Sequence, residues 1–461
     1  VVYQPDVRIL ELGDGFFDPV EPARFPQCGP RFLNRQAAET VGLAGLSDEE
    51  WAAHFCRFEP LPDNLKQPLA LRYHGHQFRV YNPDIGDGRG FLFAQLRGND
   101  HRLLDLGTKG SGQTPYSRTA DGRLTLKGGV REVLATEMLQ ALGVNTSKSF
   151  ALFETGEALE RGDEPSPTRS SVLTRLSHSH IRIGTFQRQA FLRDTDALDR
   201  LVRFCLEYLY DEELAEDAGE NALRLFDLVA QATATLAASY MAAGFVHGVL
   251  NSDNINITGE SFDYGPWRFT PYWDAEFTAA YFDHYGLYAF ARQPEAINWD
   301  LAQLGGCLSL LVPEAQPLSD VLAGWGDRFE QTFVSALLRR LGVASMDAQS
   351  DRELASVLLR ALESRAATID RTFFDWRGGR DPGAEHYPGE PFRMLAAKLA
   401  GREQPRKHPY WSDTEPCSIH IEEVESIWDA IAERDDWSPF NAKIEAIRRM
   451  GEAVHESSPR P

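Results

Sequence analysis

Cysteine is scarce in this 461-residue chain. There are five, at positions 28, 56, 205, 307 and 417, an odd count without CxxC or zinc-ligand spacing. The pattern excludes a cysteine-built zinc site and suggests a reducing, cytosolic setting, so a cytoplasmic protein is expected. Positive charge is also short: 47 basic residues face 68 acidic ones, for a formal net charge of -21. Such a surface opposes docking onto a phosphate backbone or an anionic membrane, so neither nucleic acid nor a membrane is an expected partner. A local basic cluster remains free to hold a nucleotide. No run of about 18 apolar residues occurs, and the opening VVYQPDVRILELGDGFFDPV has no cationic flank before a long apolar core. Neither a membrane span nor a secretory leader is expected. Internal repeats and low-complexity tracts are missing too.

What is present is an ordinary folding composition, 43% hydrophobic and 25% charged. The length exceeds what one core usually supports, which points to two or three domains. Residues 1–70 hold short apolar pieces between Pro and Gly. LALRYHGHQFRVYNPDIGDGRGFLFAQL then alternates aromatic and polar residues around a GDG turn, predicting strands joined by a tight loop, and HRLLDLGTKGSGQT reads as another strand ending in glycines. TLKGGVREVLATEMLQALGV has apolar residues at three- and four-residue spacing and closes on Gly143, predicting an amphipathic helix. From about residue 195 long helical patterns dominate; 377–410 reads as a loop or linker, and a last helix is expected over 421–433. A sheet with one helix, followed by helices, predicts an α+β, protein-kinase-like two-lobed fold with ATP between the lobes. The expected parts are an N-terminal extension packing on the lobes (1–70), a sheet-containing N-lobe with nucleotide-binding loops (71–190), a helical C-lobe with catalytic loop and metal site (191–376) and a divergent C-terminal extension (377–461).

The chemistry concentrates in a few motifs. HGVLNSDN, residues 247–254, keeps the outer spacing of the kinase loop H-R-D-x-x-x-x-N, but Val249 stands where the kinase Asp would take the substrate proton. Asn254 and, nine residues on, Asp263 of FDYGP are two oxygen donors suited to magnesium or manganese. Lys109 of GTKGSGQTPYS ends a strand-like run before two glycines, so an ammonium and exposed backbone N–H groups can converge on phosphate oxygens; a plain surface turn has the same pattern. Glu132 is the candidate partner of Lys109, as in the kinase lysine–glutamate pair, or else a solvated helix charge. Arg175 and Arg182, seven apart, suit phosphate geometry or independent surface ion pairs. Two HxH pairs, His74 with His76 and His178 with His180, lack a Cys or carboxylate nearby to complete a zinc set.

Taken together and in order, YHGHQF, IGDGRG, KGSGQTPYSRTADGR, HGVLNSDN, DYGP and QPEAINWDLAQL resemble the selenoprotein O family over about residues 70–305. Members look like pseudokinases but are protein adenylyltransferases: they bind ATP flipped relative to kinases, move AMP onto Ser, Thr or Tyr hydroxyls of proteins, and release pyrophosphate. The resemblance implies Asp253 as proton acceptor, Asn254 and Asp263 as ligands of Mg²⁺ or Mn²⁺, and Lys109, Arg175 and Arg182 on the phosphates, with Glu132 supporting Lys109. It further implies nucleotide contacts from Gly86, Gly88, Arg89, Asp121, Gly122 and Asp263, and protein substrates that include the enzyme itself. The chain departs from the family at Leu287, where the pattern has Arg, and in the absence of a cysteine after Cys417. The alternatives are an ordinary ATP-dependent kinase, a UMP-transferring variant and a nucleotide-binding scaffold without catalysis.

Overall fold

The structure, a computed structural model, describes residues 1–456; residues 457–461, the end of the expected C-terminal extension, lie outside the described part. In chain order its strands begin with β1 (Phe17–Pro19), β2 (Gly29–Leu33), β3 (Leu69–Leu71), β4 (Gly75–Gln77), β5 (Val80–Asn82) and β6 (Leu92–Arg97). They continue with β7 (Leu103–Lys109), β8 (Leu124–Thr125), β9 (Lys148–Leu159), β10 (Thr168–Ser177), β11 (Phe245–Val246) and β12 (Arg268–Phe269). One antiparallel sheet runs β1-β3-β6-β7-β10-β9-β2, with β8 also on β10. Residues 1–70 therefore supply both edges of the sheet.

The expected small sheet with one helix is larger than the patterns predict. β9 and β10, its longest strands, carry no clean alternation because most of their residues are buried on both faces. Helices α1 (Arg35–Thr40) and α2 (Asp48–Phe55) cover one face. There Trp51 stacks on Phe150 of β9 at 5.0 Å and packs against Phe55, aromatic contacts each worth about 0.5–1.5 kcal/mol beyond area burial. Helix α3 (Leu126–Ala141) covers the other face, as expected over 125–144. Thr125 caps it by accepting from the Gly128 N–H, and Gly143, at φ +79°, follows its end.

The GDG turn does not join two paired strands. Gly86–Gly88 lies in a loop before β6, and the tight hairpin is β4–β5, turning through Phe78 and Arg79, both at positive φ. Neither residue type favours that conformation. A tertiary contact holds it: the Phe78 N–H donates to Asn251 Oδ1 at 2.9 Å.

The helical part contains α4 (Ile183–Leu192), α5 (Thr195–Phe204), α6 (Ala218–Ala243), α7 (Gln293–Leu308), α8 (Ala315–Ala323) and α9 (Trp325–Leu341), then α10 (Ala348–Glu363) and α11 (Ile369–Asp375). Asp217 caps α6 and Gly244 ends it in the left-handed region, feeding the chain through β11 directly into His247. The expected linker at 377–410 contains α12 (Glu390–Leu399), and α13 (Ile421–Arg434) is followed by α14 (Ser438–Glu456), beyond the last expected helix. Among the described residues no helix is long and apolar enough to cross a membrane. A disulfide joins Cys28 to Cys56, contrary to the reducing setting read from the cysteine pattern, while Cys205, Cys307 and Cys417 are unpaired and buried. A 28-residue separation carries no motif; folding brings the start of β2 to the end of α2.

Candidate active site

Strands β7 and β10 are antiparallel neighbours in which Lys109 faces Leu173 and Gly107 faces Arg175. Opposed residues and residues two apart share a face, so Lys109 and Arg175 project on the α3 side of the sheet. Lys109 there pairs with Glu132 of α3, and both side chains are buried, 5% and 1% exposed. Lys109 Nζ also lies 2.8 Å from Asp263 Oδ1, which Arg175 Nη1 approaches at 3.4 Å. Glu132 Oε2 accepts from the Tyr264 N–H at 3.3 Å, tying α3 to the DYG turn. Asp263 sits at φ +61°. Burial raises its carboxyl pKa, but Lys109, Arg175 and Arg89 outweigh burial and hold it well below the usual carboxylate range.

Arg182, 4% exposed, stands before α4 with its guanidinium 4.0 Å from the Tyr73 ring centroid and 5.1 Å from that of Phe262. It donates to the Asp253 carbonyl at 3.2 Å and to Asp87 Oδ1 at 3.4 Å. Phe262 thus lies beside both arginines, since Arg175 is 5.8 Å from the same ring.

The loop 247–254 is held from several sides. Burial lowers the pKa of His247; its Nε2 lies 3.0 Å from the Phe262 carbonyl and Nδ1 accepts from the Val249 N–H. Val249 is packed, partly buried, against the main core. Asn254 donates from Nδ2 to the Val249 carbonyl at 3.1 Å, leaving its amide oxygen out of that bond. The β4–β5 hairpin clasps the same loop: the His76 N–H donates to Ser252 Oγ at 2.7 Å, and Ser252 Oγ donates to Gln187 Oε1 at 2.5 Å. Gly75 is required by close approach, because a Cβ there would lie 2.7 Å from Asp253 Oδ1. That oxygen is buried and has no hydrogen-bond partner. Burial raises the Asp253 pKa to about 6 against the pull of Arg182. Asp300 of α7, 1% exposed, is raised well above the carboxylate range by burial and by Asp253, and its Oδ2 is equally unpartnered.

The glycine turns border this centre. Gly110 at φ +85° follows Lys109, and its N–H donates to the Arg89 carbonyl at 2.6 Å, linking the 86–89 loop to the end of β7. Gly86 and Gly88 pack against Tyr116. Gly122 accepts from the Gly112 N–H, and the Asp121 carboxylate is bound by Arg161 at 2.8 and 3.1 Å. Four further residues belong to the centre: Tyr73, Asp87, Phe262 and Asp300. All four lie inside quoted motifs, Tyr73 in YHGHQF, Asp87 in IGDGRG, Phe262 in FDYGP and Asp300 in QPEAINWDLAQL, but motif order alone does not single out a stacked tyrosine or a buried aspartate. Among the described residues no group of three or more His, Cys, Asp or Glu is poised for a metal. Asn254 and Asp263 offer one amide oxygen and one carboxylate held ionised, beside the orphaned Asp253 Oδ1, a donor set that suits a hard divalent cation.

A buried lysine–glutamate pair, arginine forks near carboxylates and glycine turns at a strand end put this centre in the class of candidate nucleotide-binding transferase sites. The protein adenylyltransferase SelO family matches residues 2–389, and the chain belongs to that family. A protein nucleotidyltransferase YdiU of Gloeobacter violaceus is 43% identical over 469 residues, covering 97% of this chain and 95% of its own. Another, from Synechocystis sp., is 39% identical over 482 residues, covering 97% and 98%. A third, from Synechococcus elongatus, is 40% identical over 493 residues, covering 98% and 96%.

Proposed function

We propose that this protein transfers AMP from ATP to Ser, Thr or Tyr hydroxyls of proteins, itself included, and releases pyrophosphate. On this reading the sheet and the helical part are a kinase-like pair of lobes with ATP between them, flipped relative to a kinase, so that the α-phosphate meets the acceptor. The observation that carries the reading is the Lys109–Glu132–Asp263–Arg175 cluster standing beside a loop whose kinase base position is the packed, apolar Val249. Lys109, Arg175 and Arg182 offset the triphosphate charge, and Glu132 holds Lys109 in place. Gly86, Gly88, Arg89, Asp121 and Gly122 line the nucleotide. Asn254 and Asp263 would hold Mg²⁺ or Mn²⁺, which when bound would neutralise charge on the phosphates. The acceptor hydroxyl oxygen attacks the α-phosphorus, the bond to the bridging oxygen breaks, pyrophosphate leaves and the hydroxyl proton passes to Asp253. A carboxyl with a pKa of about 6 accepts a proton near neutral pH more readily than an ordinary Asp does. A cytoplasmic setting is part of this reading, one in which the Cys28–Cys56 disulfide would be open to reduction.

Incubation with α-labelled ATP and Mn²⁺ is expected to label the protein or a protein substrate and release pyrophosphate, with Asp263→Ala silent. Transfer of γ-label alone, with ADP as product, overturns the reading in favour of a kinase.

A further inference from the structure

Away from this centre, a hollow of about 610 Å³ opens between α11 and the segments 380–387 and 406–414. Arg371, Arg380, Arg406 and His386 line it in a protein whose net charge is -21. The two carboxylates on its wall are already engaged. Asp375 Oδ2 accepts from Arg371 Nε at 2.9 Å and from the Tyr387 hydroxyl at 2.7 Å, and Asp413 is taken by the fork of Arg449. Arg380 and Arg406 are different: neither makes a hydrogen bond or ion pair among the described residues, and Nη1 of Arg406 is buried without an acceptor. Burial and the neighbouring Arg380 both lower the Arg406 pKa, and Asp375, already bound by Arg371 and the Tyr387 hydroxyl, offsets them only in part. Arg377, on the same segment, is by contrast spent on the carbonyls of Arg339 and Arg340.

A guanidinium held partly buried beside a like charge costs free energy unless something compensates. Donors that lack acceptors call for a ligand rich in acceptors, and two guanidinium forks match the planar faces of a phosphate group. Phe374, Tyr387 and Trp411 complete the wall with aromatic surface. We propose that this hollow is a second anion site, separate from the catalytic centre, that binds a phosphate group between Arg380 and Arg406, carried either by free phosphate or by a mononucleotide.

The test is calorimetric titration of the full chain with inorganic phosphate and, separately, with AMP, comparing the parent with Arg380→Ala/Arg406→Ala and with Arg380→Glu. Removing charged hydrogen bonds is expected to weaken one phosphate-binding event about tenfold or more while leaving any event at the Lys109 cluster unchanged. The exposed Arg380 tolerates substitution without burying a new group, so the single variant keeps the test valid if the double variant does not fold. AMP binding tighter than phosphate identifies a mononucleotide that also uses the aromatic wall; equal affinity identifies free phosphate. An isotherm unchanged by both variants, or no phosphate binding to the parent, overturns the proposal. Binding is read directly, so the result does not depend on whether AMP transfer is the catalytic activity.

Discussion

Two pairs of acidic side chains lie in one site and meet burial on opposite terms. Glu132 and Asp263 are matched by Lys109 and Arg175, and Asp263 stays ionised to low pH. Asp253 and Asp300 each keep an oxygen without a partner, and burial pushes both pKa values up. The first pair resembles a structural brace that, on the proposed function, also presents cations to phosphate. The second costs stability, and such a cost persists where a group is kept for its chemistry.

The sharpest way to break this contrast is to neutralise one acid on each side. On the proposed mechanism Asp253→Asn removes the proton acceptor, and transfer is expected to fall about 100- to 10,000-fold while thermal stability holds or rises. A Tm drop with full activity would place Asp253 with the bracing acids instead. Lys109→Met does the reverse to the paired side: it strands Glu132 and Asp263, and urea denaturation should register a loss of about 3–5 kcal/mol, much of it recovered by adding Glu132→Leu. No recovery would mean that the pair is not what holds α3 to the sheet.

Glu260 extends the rule outside the site. It is 5% exposed, accepts from the His178 N–H at 2.9 Å, and burial raises its pKa from 4.5 to about 7 despite Lys148. The folded state therefore keeps a proton that the unfolded state has released, so stability falls as pH rises from about 4.5 to about 7. Glu260→Gln lacks this cost, and its stability advantage should grow by about 3 kcal/mol across that window in paired denaturation curves. A gap independent of pH would show that Glu260 is charged in the fold. The smallest effect is expected from Gly75→Ala, whose Cβ presses on Asp253 Oδ1 at 2.7 Å. A destabilisation of about 1–3 kcal/mol is expected, with transfer reduced more than in an alanine change elsewhere in the hairpin.

Parts of this were legible in the chain. α3 and α6 show their period, their caps and their terminal glycines, and the order KGSG, HGVLNSDN, DYG locates the candidate centre. α14 is also written there, since Phe440, Ile444, Ile447, Gly451 and Val454 recur at helical spacing. β9 and β10 are not, because strands buried on both faces lose the alternation that marks them. The β4–β5 turn is not either, because Phe78 and Arg79 carry none of the residue preferences of a tight turn and rely on Asn251, 173 residues away.

By itself, the sequence determined which chemical groups are present and in what order, because motif spacing and helical period are local properties. Only the tertiary structure decided which charges meet: Arg175 and Asp263 are 88 residues apart, and Arg182 reaches the Asp253 carbonyl across 71. Charge state follows from those meetings, since burial raises a carboxyl pKa and the cations or hydrogen-bond donors that folding brings close lower it again. Asp253 and Asp263 are the same residue type ten positions apart, and the fold sends their pKa values in opposite directions.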